Sequence, residues 1–429
     1  MKTGLLDKCW RWNYPVFMLT SLLTAFFLRS SNDIIIPLFL LFWGVYGIVS
    51  FLKVETSQFK MLFTLLLVYV FLSIFSYAFN NVPFVAYYSD LRSVFISMLF
   101  VYVGMQYKDE DIYKIFVYST LFCDISGLVL YFWQPDWYVG FKTDVYLDAW
   151  YAVGSNVNEE NVMTNGLTSR FSSFFPNSYP IAFYNIFSLC IVFNDLYRAK
   201  EKRLIKSNYI LMGIVAICIV AISLTLTRIA ILYLGLLLLY FLYYGYHHKK
   251  KNRLLFLWML IVIIGFIAIA IIYILQSGFG ELIIEHFLGR FDSAAMTEAH
   301  EGSRSDQIAG VLEIWNNIIF GDGMGSRGGA VRKLGMAGLT DCNWVRILVE
   351  YGIVGSFLFI SVIGITLKRA SHFRRYLTTE MMIIMYVVLA MIVSDAFSKG
   401  HMILLFWFAV GRVWNKKYLY EKKINNISI

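Results

Sequence analysis

The sequence is short of charge, proline and patterned cysteine, and each deficit removes a class of protein. Of its 429 residues only 15% are charged, while 59% are apolar and 18% aromatic. Ordinary soluble domains carry about 25% charged residues and about 45–50% apolar ones. A soluble globular enzyme and a disordered chain are therefore excluded. Six prolines and no low-complexity tract exclude the fibrous classes. The five cysteines include no CxxC pair and no Cys/His spacing, so neither a zinc site nor a disulfide framework is expected. Cys123, Cys190 and Cys218 sit inside apolar runs, where a thiol packs as a small hydrophobe. Cys9 and Cys342 fall on opposite sides of the membrane in the topology below. What remains is an all-α polytopic membrane protein.

A span needs roughly 20 mostly apolar residues. Twelve segments qualify or nearly do: Tyr14–Leu28, Ile34–Leu52, Met61–Phe79, Leu91–Tyr107, Ile112–Trp133, Pro176–Tyr197, Tyr209–Leu226, Ile229–Tyr246, Leu254–Leu275, Asn343–Leu367, Glu380–Phe397 and His401–Trp414. The first follows Lys2, Lys8 and Arg11 as a signal peptide would, but Arg29 comes after it and no Ala-x-Ala site does, so it counts as a span. Lys and Arg cluster on alternate connections, as at 198–206, 249–253, 368–375 and 416–423. By the positive-inside rule both termini are cytoplasmic. The formal charge of +9 is then mostly a topology signal with some attraction to anionic membrane lipids, and its dispersal over short loops argues against nucleic acid as a partner.

The chain divides into helices 1–5 over 1–133, a long outward loop over 134–175, helices 6–9 over 176–275, a second long outward loop over 276–342, and helices 10–12 over 343–429. In the second loop Ile308, Val311, Leu312, Trp315 and Ile319 recur at helical spacing after the capping pattern Ser303-x-x-Asp306. The expectation is an amphipathic helix on the outer membrane surface.

Basic residues change in kind across the membrane: nine of the twelve on the outward side are Arg, whereas Lys leads by 17 to 8 on the inward side. Topology asks only for positive charge. Guanidinium groups additionally fit pyrophosphate oxygens in bidentate fashion. Pairing with loop acids such as Glu298, Glu301 and Asp306 is the competing explanation for any one of them. Arg228, in LTLTRIAIL, stands between two spans with almost no loop, at the membrane boundary, where snorkelling or helix capping competes with ligand binding. Arg304 opens the expected amphipathic helix, where free N–H groups suit phosphate. The glycine-rich GDGMGSRGG stretch around Arg327 could offer backbone amides to an anion, but it lacks the GK[ST] of a nucleotide-binding loop.

Asn343, Arg346 and Glu350 are spaced i, i+3 and i+7 and share a helix face. Asp341, just above them, is the acid best placed to take a proton from a substrate hydroxyl, with Glu350 the deeper competitor. A buried Arg346–Glu350 ion pair is the alternative. Asp124 and Asp395 lie in or beside spans as polar anchors, relay acids or bases. His286, His300 and His401, the outward histidines, receive no role.

Four stretches together resemble the bacterial O-antigen polymerase and ligase family: RFSSFFPNSYPIAFYN, LTLTRIAIL, GSRSDQIAGVLEIWNNIIFGDGMGS and DCNWVRILVEYGIVG, from about Arg170 to Ile360. The resemblance implies an all-α bundle of the GT-C class. It implies an inverting glycosyltransferase that joins undecaprenyl-pyrophosphate-linked repeat units on the periplasmic side of the inner membrane, with no cofactor and no metal. Lipid-linked oligosaccharides would be both donor and acceptor, and a chain-length regulator could be a partner. It makes Arg228 and Arg304 candidate pyrophosphate ligands and puts Glu350 at the family's acidic position. Beside these, Arg170 and Arg327 are further candidates for stabilising the leaving pyrophosphate, and Asn343 and Arg346 complete the expected substrate-binding set. The ligase branch has His immediately before the Asn, where Cys342 stands here; this favours the polymerase over transfer to a lipid A core. The family's Pro before the glycine-rich turn is also absent, at Phe320-Gly321-Asp322. A flippase, the remaining reading, lacks the support of two similar halves.

Overall fold

The structure, a computed structural model, describes residues 57–80, 82–106, 111–151, 170–175, 178–196, 203–248, 310, 312–313, 315–327, 342–372, 378–393 and 401–415. The expected spans Tyr14–Leu28, Ile34–Leu52 and Leu254–Leu275 lie outside the described residues, as do Arg304 and Asp341. Among the described residues there are no strands. The helices in order are α1 (Ser57–Phe79), α2 (Phe84–Gln106), α3 (Asp111–Trp133), α4 (Asp136–Tyr151), α5 (Ser178–Leu196), α6 (Asn208–Thr225), α7 (Arg228–His248), α8 (Asn343–His372), α9 (Thr379–Val393) and α10 (His401–Trp414). Nine of them fall on expected spans. The exception is α4, which occupies the stretch after Trp133 that the sequence reads as loop.

Segments within α3, α5, α6 and α8 are long and apolar enough to cross a bilayer. Their surfaces agree with that solvent. Phe122, Ile125, Val129 and Phe132 on α3 are exposed at helical spacing, as are Ile353, Phe357 and Ile360 on α8. Such stripes would drive aggregation in water and suit hydrocarbon. The chain is a helical membrane protein.

The described residues form two compact units. Residues 57–116 and 310–415 belong to one, and 117–151 and 170–248 to the other, so α3 contributes its first turn to the first unit and its remainder to the second. In the first unit α2 and α10 pack backbone to backbone. A Cβ on Gly104 would run into the Phe408 carbonyl, and one on Gly411 into that of Val101. Without hydrophobic drive between helices in lipid, such small-residue approach is a principal source of packing energy. At one end of this pair Glu380 and Arg412 are both buried. The Tyr113 hydroxyl donates to Glu380 Oε1 at 3.0 Å, and Arg412 Nε lies 3.9 Å from the same oxygen. The guanidinium also sits over the Tyr113 ring at 5.6 Å. A charge so deep persists only with such compensation.

In the second unit α5 is buried on nearly every face, as an apolar helix without a polar side should be. An acid–amide contact joins Asn185 Nδ2 to Asp124 Oδ1 of α3 at 2.9 Å, the arrangement of a polar anchor. The α5–α6 connection is built on caps. Asp195 accepts the N–H groups of Leu204 and Ile205, Arg203 donates to the Leu196 carbonyl, and Ser207 caps α6 through the Ile210 N–H. Part of the 198–206 basic cluster therefore has a capping duty.

The α2–α10 seam yields a direct test. Gly411→Ala is expected to lower stability in detergent by about 1–3 kcal/mol through overpacking. Gly364→Ala on α8, with nothing near the added Cβ, should be neutral or stabilising by up to about 1 kcal/mol. Tryptophan-fluorescence melts of both variants check this, and equal melting would remove the close-packed seam.

Candidate functional site

The helix α8 is broken. At Gly352 the backbone turns to φ 66° and ψ −172°, a region open to glycine and strained for other residues. A Cβ there would also strike the Ile319 carbonyl. Breaking a helix in lipid strands backbone groups that nothing in the hydrocarbon can satisfy. The chain before and after Gly321 supplies the partners on both sides of the break. The N–H groups of Asp322 and Gly323 donate to the Val349 and Glu350 carbonyls at 2.8 and 3.1 Å, and those of Ile353 and Val354 donate to Ile318 and Ile319 at 3.0 and 3.2 Å. Asn80 at the end of α1 holds the Gly321 carbonyl at 3.1 Å.

This docking overturns part of the expected amphipathic helix. Residues 312–313 are helical, but 315–317 have no regular structure and 318–320 form a turn. The cause is local: Asp322 Oδ1 accepts the N–H groups of both Asn316 and Asn317 at 3.0 Å, replacing helical i−4 bonds. Trp315 and Trp344 pack against buried Cys342 and Val349. The periodic apolar residues serve a docked segment rather than a continuous helix.

Charges cross-link the docked segment to α8. Glu350 Oε1 accepts from Arg346 Nε at 3.2 Å and from the Arg327 backbone N–H at 3.1 Å. Arg327 Nη2 in turn bonds Asp322 Oδ2 at 2.9 Å. All four side chains are buried. Two guanidinium groups thus face two carboxylates, and this cluster carries no surplus positive charge. The Arg346–Glu350 pair matches the alternative raised from the sequence. Arg327, expected as a pyrophosphate ligand, and Arg346, expected in the substrate-binding set, are engaged by carboxylates of their own unit. Asn343 begins α8, buried, and its Oδ1 has no partner among the described residues. Sequence reasoning missed Asp322, although an Asp between two glycines is a turn-forming signal.

In the second unit the short segment 170–175 packs against the middle of α3, the start of α4 and the end of α6. The Phe171 N–H donates to the Leu224 carbonyl of α6 at 2.9 Å, Tyr138 Oη to the Ser173 carbonyl at 2.8 Å, and Ser173 Oγ to the Cys123 carbonyl at 2.7 Å. Leu226, left-handed at φ 51°, ends α6, and after Thr227 the next helix begins at Arg228. The structure therefore brings Arg170 and Arg228 to one end of this unit, with the Arg228 side chain exposed.

Lys142 of α4 is the residue the sequence reading overlooked. It is buried, and its Nζ donates to Ser172 Oγ at 2.7 Å and the Phe175 carbonyl at 2.6 Å. The Tyr138 ring lies 5.7 Å from Nζ. Burial pushes the ammonium down to about 7 and raises the Tyr138 hydroxyl. The signal available was a lysine set among Tyr138, Val139 and Phe141. Among the described residues no group of His, Cys, Asp and Glu is arranged to hold a metal. Compared with protein families and with curated proteins, the sequence matches none.

Removing one partner of the buried pair is expected to be costly. Glu350→Ala should destabilise by about 3–5 kcal/mol because Arg346 stays buried uncompensated. The double variant Arg346→Met with Glu350→Leu should recover much of that loss. Melting curves of the single and double variants give the comparison, and a wild-type melt for Glu350→Ala would contradict the clamp.

Proposed function

We propose that this protein is an O-antigen polymerase, an inverting glycosyltransferase that joins undecaprenyl-pyrophosphate-linked repeat units at the periplasmic face of a bacterial inner membrane. Twelve spans, cytoplasmic termini and a GT-C-like bundle complete the reading. The donor's anomeric carbon is attacked by a hydroxyl on the terminal sugar of the acceptor unit. The lipid pyrophosphate departs, so neither nucleotide sugar nor metal is needed to drive the step. Four motif stretches in order support the reading, together with Cys342 where the ligase branch has His.

The observation that carries it is the placement of Arg170 and Arg228 at one end of the second unit, pinned by the Phe171–Leu224 hydrogen bond. These two, with Arg304, stabilise the charge that develops on the leaving pyrophosphate. Arg327 and Arg346 shape the segment docked on α8 instead. Glu350 Oε1 is already occupied by a guanidinium and a backbone amide. Asp341 takes the acceptor proton.

The test is complementation of cells lacking their own polymerase. Arg228→Ala and Arg304→Ala should each cut polymerisation by about 10²–10³, if losses of oxyanion-type donors transfer, leaving single repeats in place of long ladders. Arg327→Ala should instead lower the amount of folded protein in the membrane, seen by immunoblot. Full ladders in both Arg228→Ala and Arg304→Ala would remove their proposed roles.

A further inference from the structure

Ser172 and Lys142 carry a chemistry that the polymerase reading does not use. Segment 170–175 holds two adjacent serines in different states. Ser173 Oγ is engaged by the Cys123 carbonyl. Ser172 Oγ meets only Lys142 Nζ, at 2.7 Å. Among the described residues no carboxylate lies within ion-pair distance of that nitrogen. Nζ donates to Ser172 Oγ at 2.7 Å and to the Phe175 carbonyl at 2.6 Å; once it loses a proton it can keep the N–H on the carbonyl and accept the Ser172 hydroxyl proton with its lone pair. Burial favours that neutral form near pH 7.

The backbone adds two further features. Ser173 sits in the left-handed region at φ 50°, a strained conformation for a residue with a side chain. The turn is closed by the Phe175 N–H on the Ser172 carbonyl at 2.9 Å. The N–H groups of Ser172 and Ser173 have no acceptor among the described residues. An amide of the nucleophile itself and that of the next residue are the donors used to stabilise an oxyanion on other folds. Ser172 and Lys142 are both buried, at 9% and 3% exposure, so the serine is the nearer of the two to the surface.

We propose that Ser172 is a nucleophile with Lys142 as its general base, giving the protein a second activity, the hydrolysis of an acyl ester. Ser172 Oγ attacks the ester carbonyl carbon while its proton passes to Lys142 Nζ. The carbonyl–alkoxide bond breaks, and Nζ returns the proton to the departing alcohol. Water then attacks the acyl-Ser172 carbonyl, giving its proton to Nζ; the carboxylic acid leaves and Ser172 recovers its proton from Lys142. The amides of Ser172 and Ser173 donate to the oxyanion formed in each half. The Tyr138 ring lies over Nζ, Phe175 supplies its carbonyl, and Phe171, beside Ser172 in the chain, packs on Tyr131; this apolar setting favours an apolar acyl group over a charged one. This activity is independent of the polymerase reading.

The titratable and charged side chains on Lys142's own helix and on the elements that touch its partners are Asp136 and Tyr138 on α4, Cys123, Asp124 and Tyr131 on α3, Arg170 in the segment and Tyr184 on α5; among the described residues none forms an ion pair with it. The probe is a fluorophosphonate reagent applied to the purified full-length protein in detergent, with adducts located by peptide mass. One adduct on Ser172 is expected. Its rate should rise about tenfold from pH 6 to pH 8 as the amine loses its proton. Ser172→Ala should abolish the adduct and also the turnover of p-nitrophenyl butyrate. Lys142→Arg keeps the donors but cannot act as a base. It should slow labelling by about 10²-fold while eluting as a single folded species, and Ser173→Ala should still be labelled. No adduct on Ser172 in the wild type, or labelling that ignores both pH and Lys142→Arg, would overturn the proposal.

Discussion

The break in α8 is the constraint on which the first unit is built. A transmembrane helix interrupted at Gly352 must find partners for the carbonyls it ends with and the amides it resumes with, because lipid offers none. The segment around Gly321 meets both needs at once through four backbone hydrogen bonds. Those bonds require two glycine conformations, and they draw Asp322 and Arg327 down beside Arg346 and Glu350. The buried charge cluster follows from the repair of the helix: once the segment is docked, its ionic groups are out of water and must be neutralised in place.

The two units handle buried charge differently. In the first, guanidinium groups meet carboxylates at both described clusters, Arg346 with Glu350 and Arg327 with Asp322, then Arg412 with Glu380. In the second, Lys142 is met by a hydroxyl and a carbonyl instead. That choice keeps an amine close to neutral at ordinary pH, which an adjacent carboxylate would prevent. The segment carrying Arg170 and Ser172 is held by hydrogen bonds of modest strength to three helices.

Much of this was legible in the sequence, for a reason specific to membranes. Long apolar runs bounded by Lys and Arg announce helices whatever their partners, so the ends of α3, α5, α6 and α10 fall within a few residues of expectation. Tertiary features were harder to see. The helix α4 contains Asp136, Lys142, Asp144 and Asp148, too polar for a span, so it reads as loop. Gly352 sits inside an expected span, two residues after Glu350, and nothing in hydropathy distinguishes a glycine that breaks a helix from one that packs inside it. Trp315 and Ile319 keep helical spacing yet serve a segment whose backbone pairs elsewhere. Arg346 and Glu350 were readable as a pair because four residues separate them on one face. The Arg327–Asp322 contact depends on how a glycine-rich turn folds, which spacing does not encode. Lys142 passed unnoticed because a single loop lysine carries no pattern.

The reading of function depends on pyrophosphate serving as the leaving group for chain extension. The most direct measurement is to incubate purified wild-type protein with one chemically defined undecaprenyl-pyrophosphate-linked repeat unit, without nucleotides, and to size the products. The account predicts a ladder of two or more repeats, with one lipid pyrophosphate released for each linkage formed. A repeat unit left unextended in an otherwise folded preparation, or moved intact across a vesicle membrane without extension, would contradict it.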